Sequence, residues 1–129
     1  MRDLVFAMEL RGQAGPIEGR EGVLQAQTGG RGPNGETVSF TSEVVISGES
    51  FTETGRIAYG DRGSVQFDTV GAGYLAPSPL PETQWGVISW RITSGDGEFR
   101  GASGHITSNF IVSASGNVVD NHYVRMVLP

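Results

Sequence analysis

The chain has 129 residues, a net charge of −5, only 18% charged residues and no cysteine or lysine, which is the composition of one folded domain. The missing residue types exclude disulfides, thiolate nucleophiles, Schiff-base chemistry and a P-loop lysine. The sequence has no run of basic residues of the kind that binds nucleic acid. No apolar run reaches the roughly 18 residues that a membrane-spanning helix needs. Because the N-terminus also lacks a signal-peptide pattern, we expect one cytoplasmic domain, residues 1–129, without nucleic-acid or membrane partners.

Apolar residues alternate with a period of two along the chain, and no window shows the period of a helix. In chain order, this alternation predicts strands over residues 4–10, 22–28, 37–47, 51–59, 64–75, 84–93, 105–114 and 118–128. Pro77, Pro79 and Pro81 mark a loop, because proline donates no hydrogen bond to a strand ladder. Short strands joined by short turns indicate an all-β sandwich or barrel, and we favour a small closed antiparallel β-barrel of about eight strands.

The stretch SGDGEFRGASGHI, residues 94–106, looks at first like a phosphate-binding loop. Dinucleotide loops read GxGxxG between a strand and a helix, whereas here Gly95 and Gly97 are followed by a wider gap to Gly101 and then by a strand-like alternation. The stretch is therefore interpreted as a turn between two strands. Its glycines would allow conformations that side chains forbid, and Phe99 would plug one barrel end.

Two motifs give the sequence a family resemblance. The run ITSGDGEFRGASGHI resembles the late-strand signature of the allene oxide cyclase barrel and its related form in plant dirigent proteins. Earlier in the chain, AYGDRGSVQ, residues 58–66, is similar to a second cyclase motif. The resemblance implies an eight-stranded antiparallel barrel with an apolar cavity, often trimeric. In allene oxide cyclases this cavity rearranges an unsaturated fatty-acid epoxide, and bacterial barrels of this kind include cyclases of polyketide-like molecules.

Compared residue by residue, the chain resembles the cyclase in its barrel motifs but has different residues at the polar positions of the cyclase cavity. The cyclase positions for a glutamate, an asparagine, a cysteine, a tyrosine and a closing proline fall on Ala7, Glu9, Glu43, Thr69 and Pro16. The resemblance thereby places Glu9 and Glu43 in the cavity, where a carboxyl group can act as an acid or a base. Alternation alone favours the opposite orientation, with both side chains facing water, and the sequence leaves the choice open.

Further candidates lie on the apolar faces of other strands. Asp120 and His122 share one side of a strand, about 7 Å apart. His122 is therefore either a general base or a core histidine with a satisfied hydrogen bond. Glu53 shares a face with Phe51 and Tyr59, which makes it another possible inward carboxyl group.

Three aromatic residues, Tyr59, Phe67 and Trp90, are predicted on the barrel wall. Such residues usually form core, but they also line apolar ligand cavities. His105, beside the glycine stretch, is expected to face solvent. No metal-binding motif is present, since the chain has only two histidines.

Together these features predict a cofactor-independent cyclase or isomerase that acts on a largely apolar, polyketide- or lipid-like molecule in the barrel cavity. The catalytic candidates are Glu9, Glu43 and His122, and the substrate-binding candidates are Tyr59, Phe67, Thr69, Trp90 and Glu53. A barrel that binds an apolar ligand without chemistry is the main alternative, and a structural barrel with a packed interior is the third. We expect no cofactor or metal, and a homo-oligomer, either a dimer or a trimer.

Overall fold

Every predicted run of alternating residues forms β-structure in the computed structural model, which describes residues 1–129. The strands are β1 Arg2–Ile17, β2 Arg20–Arg31, β3 Thr37–Ser47, β4 Ser50–Tyr59, β5 Ser64–Thr69, β6 Gly73–Pro77, β7 Thr83–Gly95, β8 Ser103–Ser113 and β9 Asn117–Leu128. One short 3-10 helix, Gly97–Phe99, lies between β7 and β8. The protein has no helix with the length and apolarity needed to span a membrane.

Antiparallel pairing closes the strands into a ring. The order is β3-β2-β1-β9-β8-β7-β5-β4, and the pairing of β3 with β4 completes the barrel. β5 and β6 share one position between β4 and β7, so the strand predicted over residues 64–75 is interrupted after Thr69. β1 extends to Ile17 because its first part pairs with β9 and its later part with β2. The predicted all-β, eight-stranded antiparallel barrel is confirmed.

Aromatic side chains fill one end of the barrel, which we call the closed end. Phe99 is 2% exposed, and its ring centroid lies 5.2 Å from that of Tyr59. Phe6 contacts the same tyrosine edge-on at 5.9 Å. Deeper inside, the rings of Phe67 and Trp90 lie 4.4 Å apart. Phe99 therefore plugs this end, as the sequence predicts.

The two motifs behind the resemblance pack against each other at the closed end. The Asp96 carboxylate accepts hydrogen bonds from the backbone N and Oγ of Ser64 at 2.7 and 2.9 Å, which hold the pKa of Asp96 below its usual value. Gly97 has a φ of +57°, and a Cβ there would lie 2.5 Å from the Arg62 carbonyl oxygen. The glycine stretch is thus a structural corner, and the strand β8 follows it.

Candidate active site

The end of the barrel opposite Phe99 holds a cavity of about 1140 Å³. Its mouth is formed by the β3–β4 turn, the β6–β7 loop and the β8–β9 turn, and its walls are largely apolar, with Leu24, Phe40, Phe51, Leu75 and Phe110 among them. Ligand pockets commonly measure roughly 300–1,000 Å³, so this space accommodates a small molecule. The third alternative, a structural barrel with a packed interior, is therefore wrong.

Glu53, on β4, brings a carboxyl group to the inner part of this cavity. The residue is 7% exposed, and Ser42 Oγ donates a hydrogen bond to its Oε2 at 2.6 Å. Burial raises the pKa of Glu53 to about 8. The bond from Ser42 acts against this shift, and the negative charge of Asp120 adds to it. Glu53 is consequently mostly protonated at neutral pH.

Thr69 fixes the backbone that carries Glu53. The ladder between β4 and β5 ends at the pair Gly55 and Phe67, so the main chain of Glu53 has no backbone partner on β5. The Thr69 hydroxyl takes that place: it accepts from the Glu53 N–H at 2.7 Å and donates to the Glu53 carbonyl oxygen at 2.7 Å. Thr69 is not part of the cavity lining. Thr69 was predicted to contact the substrate. The structure corrects this prediction, because its hydroxyl group holds the main chain of Glu53 in position.

Asp120, on β9, is the second carboxyl group in the inner cavity. It is 5% exposed, its Oδ1 accepts a hydrogen bond from Ser108 Oγ at 2.6 Å, and its Oδ2 lies 2.9 Å from His122 Nε2. Both oxygens are therefore held in place. Sequence reasoning paired Asp120 with His122 but did not make Asp120 a site residue. The sequence feature that pointed to Asp120 was its position two residues before His122 on a mostly apolar strand face.

His122 lies behind Asp120 and outside the cavity lining. Its side chain is fully buried, with edge contacts to Phe40 at 5.5 Å and Trp90 at 5.2 Å. Nε2 contacts Asp120, while Nδ1 has no hydrogen-bond partner. His122 thus orients a carboxyl group from within the core. The prediction that His122 acts on substrate is therefore corrected: its side chain holds Asp120 in position.

Comparison with known proteins agrees with this architecture. No family model and no curated protein matches the chain. Among solved structures it is similar to the pterocarpan synthase dirigent protein GePTS1, with a TM-score of 0.65 and 13% identity over 96% of this chain and 88% of that one. The barrel is dirigent-like. At this identity the likeness concerns the fold, so the chemistry of the site rests on the residues of this chain.

The dirigent-like barrel directs Glu9 and Glu43 outward. Glu9 pairs with Arg11 and Glu43 with Arg20, each at 2.7 Å, and their side chains are 48% and 50% exposed. The reason is the pleat, because neighbouring residues on a strand face opposite sides, and Leu10 occupies the inner side next to Glu9. The prediction from the resemblance that both carboxylates lie in the cavity is wrong, and the alternation pattern gives the correct orientation.

Tyr59, Phe67 and Trp90 belong to the closed half of the barrel and do not line the cavity. All three are almost fully buried, and the Tyr59 hydroxyl and Trp90 Nε1 have no hydrogen-bond partner. Burial, and to a lesser degree the charge of Glu36, raises the pKa of Tyr59. Their predicted contact with substrate is therefore corrected: they are core residues.

Different aromatic residues line the cavity, and sequence reasoning missed them. Phe51 and Phe110 meet edge-on at 5.8 Å, and a side chain at Gly86 would collide with the Phe110 ring. Phe40 stands between the cavity and the buried His122. The alternation of the strand could have identified Phe51, because Phe51 precedes Glu53 by two residues and therefore lies on the same strand face.

Thr28 adds an uncharged polar group to the lining. It is 9% exposed, and its Oγ1 has no hydrogen-bond partner in the protein. No group of three or more histidine, aspartate or glutamate side chains is arranged to hold a metal ion. The polar chemistry of the inner cavity is thus that of the carboxyl groups of Glu53 and Asp120 with their serine and histidine partners.

Proposed function

We propose that this dirigent-like barrel is a cofactor-independent cyclase or isomerase that acts on a largely apolar small molecule. The observation that carries the proposal is Glu53, a buried carboxyl group whose pKa of about 8 keeps it protonated in an apolar cavity at neutral pH. A carboxyl group in that state can donate a proton to substrate, and general acids of this kind contribute about 10²–10⁴-fold in rate.

In the proposed reaction, the Glu53 carboxyl group gives its proton to a carbonyl oxygen, an epoxide oxygen or an alkene carbon of the substrate. The substrate then carries positive charge, and a nucleophilic group of the same molecule closes the new bond. A proton leaves the substrate to the carboxylate of Glu53 or Asp120. One proton enters and one leaves, so the product is an isomer of the substrate.

Asp120 has the geometry to stabilise the positive charge of such an intermediate. It faces the same cavity as Glu53, and its negative charge already acts on Glu53. The contacts from Ser108 and His122 hold its two oxygens before the substrate arrives. A fixed charge in a dry site stabilises a transition state without the cost of reorganising solvent.

The apolar wall would supply the remaining contribution by folding a flexible substrate into a reactive conformation. Leu24, Leu75 and Phe110 line the cavity around the carboxyl groups. Orientation of reacting groups can lower a barrier by roughly 7–11 kcal/mol at best. We therefore assign chemistry to Glu53 and Asp120 and shape selection to the apolar lining.

A mass-neutral conversion assay tests this proposal. Small-molecule extracts of the source organism are incubated with the protein, and liquid chromatography with mass spectrometry searches for features that change retention time but not mass. We expect such conversion with the wild type and its loss with Glu53→Gln, while Glu9→Gln, the same change on the outer face, keeps it. Equal conversion by Glu53→Gln would overturn the role of Glu53.

The alternative function is a barrel that binds an apolar molecule without chemistry, and the cavity alone is enough to support it. The same assay separates the two functions. Retention of an extract component by the protein, without conversion in any fraction, would favour binding and overturn the isomerase proposal.

We also propose that the protein forms a homo-oligomer. Support comes from the outer wall, where Tyr74, Val87 and Tyr123 expose between 50% and 62% of their surface around one shallow groove. Burial of such apolar surface favours association. Light scattering coupled to size exclusion is expected to give the mass of a dimer or trimer, and Val87→Asp is expected to shift it to the monomer. A monomeric mass for the wild type would contradict this proposal.

A further inference from the structure

The ionisable groups of the cavity lining are all of one kind. They are Glu49, Glu53, Glu82 and Asp120, and every one is a carboxyl group. None of the nine basic residues of the chain lines the cavity. Several arginines instead pair with outer carboxylates, as Arg91 does with Asp68 at 2.7 Å. A ligand with a carboxylate or phosphate would thus find no arginine on the cavity lining.

These carboxyl groups occupy two depths. Glu49 and Glu82 are exposed in the turns at the mouth, whereas Glu53 and Asp120 are buried in the inner cavity. An approaching anion therefore meets like charge first at the entrance and then again at Asp120, since Glu53 is mostly protonated at neutral pH. Surface charges of one sign at a cleft change the local concentration of charged ligands, and buried charges act more strongly because water screens them less.

The uncharged part of the lining includes Thr28 and three aromatic rings. The Thr28 Oγ1 itself is buried and has no partner in the protein. The aromatic rings of Phe40, Phe51 and Phe110 lie on the same lining, and aromatic faces attract cations.

We propose that this cavity selects its ligand by charge: it takes apolar molecules whose polar group is cationic or becomes cationic during reaction, and it rejects carboxylates and phosphates. The proposal rests on the proposed function for the assumption that the ligand binds in this cavity. It narrows the substrate class, because free fatty acids and other anionic lipids are excluded. The remaining substrate classes are amphiphilic amines and neutral molecules that form a cationic intermediate during the reaction.

A matched series of probes tests charge selection separately from catalysis. Octylamine, octanol and octanoate share one apolar body and differ in the charge of the head group at neutral pH. Their affinities are measured by displacement of the neutral fluorophore N-phenylnaphthylamine from the cavity. We expect octylamine to bind best and octanoate worst, with a ratio of at least about tenfold, which corresponds to roughly 1.4 kcal/mol.

The variant Asp120→Asn shows whether the cavity causes this preference. Made in the Glu53→Gln background, where Glu53 cannot ionise in its place, it removes the inner charge of Asp120 at nearly constant shape, and we expect it to reduce the ratio of amine to carboxylate affinity several-fold. Asp68→Asn, the same change on the outer face, is the control and is expected to leave the ratio as it is. Circular dichroism confirms that both variants keep the β-fold, and the wild-type series stands without either of them.

Two results would overturn charge selection: octanoate binding as tightly as octylamine, or a ratio that Asp120→Asn does not change. Mass-neutral conversion of an extract component together with either result would leave the proposed isomerase intact. The reverse is also distinguishable, since the expected probe series without any conversion would contradict the isomerase and support charge selection. Absence of binding by all three probes would overturn charge selection, and the conversion assay would then decide on the isomerase separately.

Discussion

His122 Nε2 lies 2.9 Å from Asp120 Oδ2, so a fully buried imidazole holds a carboxyl group of the inner cavity. Through Asp120 the contact reaches Glu53, because the charge of Asp120 is one of the causes that raise the pKa of Glu53. Two strands that are distant in sequence, β4 and β9, thereby contribute to one acid–base arrangement.

Removal of the Asp120 charge is expected to lower the pKa of Glu53. In Asp120→Asn the repulsion that opposes ionisation of Glu53 is gone, while the burial of Glu53 is kept. Carboxyl-carbon NMR of selectively labelled glutamate over a pH series measures the shift. Asp68→Asn is the control, and an unchanged titration of Glu53 in Asp120→Asn would show that the two groups are not coupled.

The Ser42 hydroxyl is expected to act in the opposite direction. It donates at 2.6 Å to Glu53 and favours the ionised form, so Ser42→Ala should raise the pKa of Glu53 further. Ser39→Ala, a change on the exposed face of the same strand, should leave it as it is. The same NMR titration decides, and a fall of the pKa in Ser42→Ala would contradict the assigned hydrogen bond.

The stability of the protein is expected to carry a pH dependence caused by Glu53. Because its pKa is about 8 in the folded state and 4.5 in the reference state, the folded protein retains a proton that the unfolded chain has lost between these values. Stability therefore falls as pH rises from about 4.5 to about 8, by at most about 1.4 kcal/mol per pH unit.

Urea unfolding at a series of pH values measures this dependence, and Glu53→Gln supplies the reference that lacks the titrating group. The difference in unfolding free energy between the wild type and Glu53→Gln should shift in favour of the variant as pH rises through this window. A difference that is constant with pH would mean that Glu53 titrates alike in the folded and unfolded chains.

The outer carboxylates are expected to contribute little. Glu9 and Glu43 form exposed ion pairs with arginines, and exposed pairs are typically worth less than about 1 kcal/mol. Glu9→Gln and Glu43→Gln should therefore change unfolding free energy by no more than this, and any catalytic conversion should persist. Loss of conversion in either variant would return these residues to the list of catalytic candidates.

The closed end of the barrel is expected to depend on Phe99. Removal of this buried ring by Phe99→Ala leaves a cavity beside Tyr59 and should cost about 3–5 kcal/mol of unfolding free energy. Leu80→Ala, in the exposed β6–β7 loop, is the matched control and should be nearly neutral. Equal effects of the two variants in urea unfolding would show that Phe99 is not a plug.

The fold could be predicted because alternation is a local signal. Thr37–Ser47 has the bounds that the alternation predicts, and β1 shows the predicted inward face through Leu10. The interruption between β5 and β6 was missed because apolar residues continue across it. Gly71 and Gly73 were the sequence signs of a break there, and Gly71 has a φ of +72° in the structure.

The candidate site was less predictable, because its parts meet only when the barrel closes. Glu53 was a candidate by its strand face, but nothing in the sequence brings it near Asp120. Glu9 and Glu43 were chosen by alignment with the cyclase. That alignment matched their positions along the barrel strands but not the direction in which their side chains point. A shift of one residue in such an alignment moves a side chain to the other face of a strand.

The titration of Glu53 itself tests the central claim most directly. Carboxyl-carbon NMR of the wild type, with Glu53→Gln to assign the resonance, gives the midpoint in the intact protein. A midpoint near 8 is expected for a protonated acid in the cavity at neutral pH. A midpoint near 4.5 would mean that Glu53 is already ionised at neutral pH, and it would contradict its role as the proton donor.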